Sequence, residues 1–194
     1  MKKERKSTME VSAVRSGLTI RQMTTAALVT AVTCVAGPIA IPIPVSPVPL
    51  SLTTLILYLS LYLLGMKGAL VSCFLYLLLG IIGLPVFSGF SGGLAKAAGP
   101  TGGYLIGYLF LVLVSGFFID RFPKPSWIHA AAMAAGTILC YAFGTLWLAC
   151  QMKIPFLSAA AIGVLPYLPG DGVKIIVALT AGPILRRRVR SASF

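Results

Sequence analysis

Six long apolar runs, and the near absence of charge inside them, constrain this chain more than any other feature. They cover roughly residues 22–41, 50–66, 68–84, 101–119, 127–150 and 157–185, and the first five contain no Lys, Arg, Asp or Glu. At 1.5 Å rise per residue, a helix of about 20 residues crosses a ~30 Å hydrocarbon core. A soluble domain carries about a quarter of its residues charged, whereas 10% are charged here and 58% are hydrophobic. A soluble globular protein is excluded. The pattern predicts an all-α, polytopic integral membrane protein: one domain of six transmembrane helices, 22–188, between tails 1–21 and 189–194. The second and third runs are near the minimum length, so they are expected to tilt little or to span incompletely.

A net charge of +12 would suit a nucleic-acid binder if it clustered on one face. Its placement excludes that partner. Lys2, Lys3, Arg5, Lys6, Arg15 and Arg21 precede the first run, and Arg186, Arg187, Arg188 and Arg190 follow the last. Such clusters are positive-inside anchors at anionic lipid. Six spans put both termini on one side. If that side is cytoplasmic, thirteen basic residues lie inside, with Lys67, Arg121 and Lys124 among them, against Lys96 and Lys153 outside. The expectation is a bacterial cytoplasmic membrane with both termini inside. Trp127 and Trp147 bracket the fifth run, ~30 Å apart along a helix, one at each interface. The long polar start, and the Pro-rich stretch after the first run, argue against a cleavable signal. Cys34, Cys73, Cys140 and Cys150 form no CxxC pair and read as small buried hydrophobes, not as disulfides or a metal site.

Two outer connections stand out. Pro38, Pro42, Pro44, Pro47 and Pro49 fall within an uncharged stretch, which favours extended, polyproline-like backbone. It is either a rigid connector or an apolar lid over an outward-facing site. The second connection, 83–103, holds seven glycines and is too long for a simple turn. Non-helical backbone at membrane depth is tolerated only where it is buried or lines a cavity, so this block signals a binding site.

The sixth run reads LPYLPGDGVKIIVALTAGPILRRR from Leu165. Pro169-Gly170-Asp171 marks a helix start, with Asp171 expected to cap it. From Asp171 to Leu185 is only ~22 Å of helix. Asp171 must then lie below the outer surface, with Lys174 one turn deeper, on a broken helix of the kind that holds polar substrates. At i and i+3 the two could simply neutralise each other. A charge at the bilayer centre costs about 3 kcal/mol, however, and an apolar pair would avoid that cost, so a functional role is favoured. Lys174 and free N–H groups at the helix start suit a carboxylate, while Asp171 accepts from N–H donors. The implied ligand is small, largely apolar and anionic, with amide-like polarity at one end.

Residues 42–55 (PIPVSPVPLSLTTL), the block GLPVFSGFSGG…GPTGGYLIGY (83–108) and LPGDGVK (168–174) resemble the BioY family. Its members are the biotin-binding S components of energy-coupling factor (ECF) vitamin importers. The resemblance covers about residues 24–188. It implies the six-helix S-component fold, an outward pocket closed by the loop after the first helix, and high-affinity capture of biotin as cargo, with no cofactor. It also implies that Asp171 and Lys174 contact the vitamin, joined by Gly83, Ser91 and Tyr104. Ala27 and Ala31 match the small-residue spacing by which the family's first helix docks on a transmembrane coupling subunit. Two cytoplasmic ATPases complete the implied assembly, in keeping with the lack of a P-loop motif in this chain. The sequence contains no Asn, so any amide contact made by that residue in relatives must come from elsewhere.

Enzyme readings fail on their parts. Gly89-Phe90-Ser91-Gly92 fits a GxSG pattern, but the single histidine, His129, falls at the opposite end of the expected topology. An intramembrane aspartyl protease needs two embedded Asp, and only Asp171 is far from a charged flank. The remaining alternatives are an S component for another anionic vitamin and a secondary transporter coupled to protons through Asp171.

Overall fold

The computed structural model describes residues 20–42, 44, 46–123 and 126–191. The anchors Lys2 to Arg15, Lys124 and the end of the C-terminal tail lie outside the described residues. Helix α1 runs Ile20–Ala36. Strands β1 (Ala40–Ile41) and β2 (Leu50–Ser51) follow, antiparallel, with Ala40 opposite Ser51 and Ile41 opposite Leu50. The Pro-rich run is thus a strap closed at its base by a minimal ladder rather than extended throughout. The prolines lack an N–H and cannot donate to a ladder, which leaves the residues at either end to pair.

Helix α2, Thr53–Ile82, is two helical arms joined at Gly65, which has φ +69° and ψ 178°. The Tyr76 hydroxyl reaches Gly37, where a Cβ would lie 2.9 Å from it, and the Gly37 carbonyl accepts from Ser51 just before α2 at 3.2 Å, so the second arm doubles back along the first. An L side chain at Gly65 would be strained, and its Cβ would lie 3.2 Å from Asp120 Oδ2. The break leaves the Met66 N–H at the start of a new helical turn, where it needs an outside acceptor. Asp120 Oδ2 accepts it at 2.8 Å. The arms, about 18 Å and 26 Å long, are the two short spans expected from the second and third runs.

Helix α3 (Leu94–Ala98) interrupts the Gly-rich connection, and α4 (Gly102–Arg121) and α5 (Ser126–Met152) follow it. The sixth run divides into α6 (Phe156–Gly163) and α7 (Leu168–Ser191), the broken helix that its Pro and Gly residues predict. Asp171 is not the cap, however. Its N–H already donates to the Tyr167 carbonyl at 2.9 Å, so the helix begins earlier, at Leu168. Pro169 is tolerated there because a first-turn N–H has no intrahelical acceptor to lose. Helices α2, α4, α5 and α7 are long and apolar enough to cross a membrane, and α1 contains a shorter apolar helix. With α2 folded on itself, the chain makes six passes.

Packing follows membrane rules, in which close approach and buried polar contacts replace the hydrophobic drive between helices. Glycines let α4 and α5 touch: a Cβ on Gly107 would meet Cys140 Sγ at 2.7 Å, and one on Gly136 would meet Ser115 Oγ at 2.5 Å. Ser115 Oγ donates to the Ala132 carbonyl at 3.1 Å, and the Thr30 and Ser72 hydroxyls join α1 to α2 at 2.9 Å. Leu28, Phe74, Phe117, Ile138 and Ile176 face outward, which suits lipid rather than water.

Candidate ligand-binding site

The broken sixth run places both of its ionisable residues on the first turns of α7, facing inward. Asp171 and Lys174 are 6% and 8% exposed. Lys174 Nζ lies 2.9 Å from Asp171 Oδ1 and donates to Thr54 Oγ1, at the start of α2, at 2.9 Å. The Tyr141 hydroxyl of α5 donates to Asp171 Oδ2. Three helices therefore converge on one ion pair. An ammonium has three donors and a carboxylate about four acceptor positions. One Lys174 donor and half of the Asp171 acceptor capacity remain for a ligand.

The pair lines one side of a cavity whose other walls are Val48 to Ser51 of the strap, Tyr104 and Tyr108 of α4, Thr137 of α5 and Tyr167. The strap thus forms one wall of the same cavity that the pair lines. The Tyr167 hydroxyl donates to the Val48 carbonyl and latches the strap to the start of α7. The cavity volume is about 50 Å³, room for water only. Small-molecule sites hold ~300 Å³ or more. A bicyclic ligand can enter only if the strap moves outward or the aromatic wall retreats.

Tyr104 forms part of that wall. Its hydroxyl donates to the Gly163 carbonyl at 3.3 Å and meets Thr145 Oγ1 at 3.3 Å. Its ring packs edge-on to Tyr141, with centroids 6.4 Å apart. Gly144 makes room for it, since a Cβ there would sit 2.3 Å from Tyr104 Cδ1. Charge on one side and aromatic surface on the other suit a small, largely apolar anion.

Gly83 and Ser91 do not line this cavity. Gly83 ends α2 with φ +119° and is exposed. Ser91 Oγ donates to the Ser88 carbonyl at 2.8 Å. The Gly-rich connection folds onto the ends of α1 and α2, where Gly89 N–H donates to the Pro38 carbonyl and Gly93 N–H to the Gly80 carbonyl. Ala27 and Ala31 are both exposed on α1, while Thr30 and Thr33 face the core. His129 bonds Tyr62 Oη through Nδ1 at 3.1 Å and the Phe122 carbonyl through Nε2 at 2.8 Å. Neither nitrogen serves Ser91. Thr54, Tyr141 and Tyr167 escaped the sequence reading. For Tyr141 and Tyr167, the available signal was a phenol within an apolar run, which must find a polar partner.

The BioY family profile matches residues 5–191, nearly the whole chain. The chain belongs to the BioY family. It is 35% identical over 159 residues to the biotin transporter BioY of Thermotoga maritima, covering 82% of this chain and 92% of that one. It is 33% identical over 181 residues to the biotin transporter BioY of Lactococcus lactis subsp. cremoris, covering 90% and 94%. The fold matches a crystal structure of the S component for biotin from an ECF-type ABC transporter, with a TM-score of 0.80 and 33% identity, over 87% of this chain and 92% of that one. The six-pass all-α architecture is thus that of a BioY S component.

Proposed function

We propose that this chain captures biotin from outside the cell and carries it inward as the S component of an ATP-driven ECF importer. The observation that carries the proposal is the buried Asp171–Lys174 pair beneath a latched apolar strap, in a chain of the BioY family. Biotin fits the chemistry: an amide-like ureido ring, an apolar bicycle and chain, and a terminal carboxylate. The free Lys174 donor and the free Asp171 lone pairs take the polar groups, and Tyr104 and Tyr108 cover the apolar ones. Gly83 and Ser91, which the family resemblance adds to the substrate site, lie on the Gly-rich connection outside the cavity wall. Ala27 and Ala31 form the docking face for the coupling subunit, which links the chain to two cytoplasmic ATPases. The arginine-rich end of α7 and both termini lie in the cytoplasm of a bacterial cell.

Membership assigns the chain to transport rather than to catalysis. The test is uptake of labelled biotin by a biotin-auxotrophic host expressing the chain with or without an ECF coupling module. Uptake that needs the module and ATP supports the proposal. Uptake without the module that collapses with a protonophore would assign the chain to proton-coupled transport through Asp171 instead.

A further inference from the structure

A second cavity opens on the lipid-facing side of α4 and α5, at the end of the bundle where His129 and Phe122 meet. It holds about 350 Å³, far more than the cavity beside Lys174. Ala131 and Ala135 leave a trough along α5, and Phe118, Phe122 and Trp127 stand as its walls. Trp127 is 73% exposed, although an indole in a lipid-facing wall has a polar N–H to satisfy at the interface. The Arg121 guanidinium rests over the Phe122 ring, 5.7 Å from its centroid, at the rim of the trough. Among the described residues, no carboxylate lies within ion-pair distance of it. Lys124 follows in sequence, between Phe122 and Trp127.

We propose that this trough binds one phospholipid with an anionic headgroup, its acyl chain lying on Ala131 and Ala135 and its phosphate on Arg121. The medium around an apolar trough at membrane depth is acyl chain, so a lipid occupies it without an induced partner. The rim adds selectivity. A guanidinium beside an aromatic face and without a carboxylate partner has N–H groups to offer phosphate oxygens, and an anionic headgroup brings net charge that a zwitterionic one lacks.

The test is native mass spectrometry of the full chain, released from detergent after exchange into phosphatidylglycerol or phosphatidylcholine of matched acyl chains. One phosphatidylglycerol should survive per chain, and phosphatidylcholine should bind severalfold more weakly. Arg121→Gln should weaken phosphatidylglycerol about fivefold, the equivalent of ~1 kcal/mol for one basic residue at an anionic surface, and leave phosphatidylcholine unchanged. Ala135→Phe, which fills the trough, should reduce both. Size-exclusion profile and thermal midpoint report that each variant is folded. Equal retention of the two lipids by the unmodified chain overturns the proposal, as does a folded Ala135→Phe variant with undiminished lipid. A dimer that Ala135→Phe dissolves would also overturn it and assign the trough to a second copy of the chain.

Discussion

The ion pair at the centre of the site can be dissected by removing its members singly and together. Both side chains are about nine-tenths buried, and their contact is 2.9 Å. Lys174→Met leaves a carboxylate with only Tyr141 as partner, and Asp171→Leu leaves an ammonium with only Thr54. Stranding one buried charge costs about 3–5 kcal/mol, whereas replacing both with apolar groups of similar size is close to neutral. At roughly 2–4 °C per kcal/mol for a chain of this size, each single change should lower the thermal midpoint by ~6–20 °C. The double variant Asp171→Leu/Lys174→Met should recover most of that loss. Differential scanning fluorimetry in detergent measures the midpoints, and biotin titration measures binding. The expected signature is a double variant that is stable and yet blind to biotin, because the pair is kept for the ligand and not for the fold. A double variant whose losses simply add, or one that still binds biotin, would refute the reasoning.

Three further outcomes follow from the same geometry. Tyr167→Phe removes the strap latch; one hydrogen bond is worth ~0.5–1.5 kcal/mol, so stopped-flow biotin association and dissociation should both quicken, roughly two- to tenfold, and unchanged rates would leave the latch without a role. Gly65→Ala forces a side chain into a left-handed turn against Asp120, which should cost about 1–2 kcal/mol in thermal stability; Asp120→Ala should cost ~1 kcal/mol as a lost cap, and Asp120→Asn, which keeps an acceptor for Met66, distinctly less. Lys174→Ala should weaken biotin about 10–100-fold in calorimetry and biotinamide much less if Lys174 holds the carboxylate, whereas equal losses would move it to the ureido ring.

Structure is legible in the residues where one chemical property dominates a whole segment. Six apolar runs predict six passes because a bilayer core allows nothing else, and an Asp and a Lys inside the last run are conspicuous because embedded charge is costly. It is less legible where structure depends on partners distant in the chain. Gly65 sits in an apolar run without local distinction, and its turn exists because Asp120, on another helix, caps the arm that follows. Asp171 looked like a cap because Pro and Gly precede it, but Pro169 is equally at home inside a first turn. Seven glycines in 83–103 suggested backbone facing a ligand. In the structure Gly89 and Gly93 tie the connection to the ends of α1 and α2, Gly102 clears the Ala97 carbonyl, and Gly103 admits the Trp147 side chain. Tyr141, which holds the second oxygen of Asp171, carries no motif. Only the fold brings it to the pair.

The most direct test of this account is a calorimetric titration of the purified chain with biotin. The account predicts a saturable signal with one site per chain, abolished in the stable Asp171→Leu/Lys174→Met variant. A folded, monodisperse protein that gives no saturable heat with biotin would contradict it.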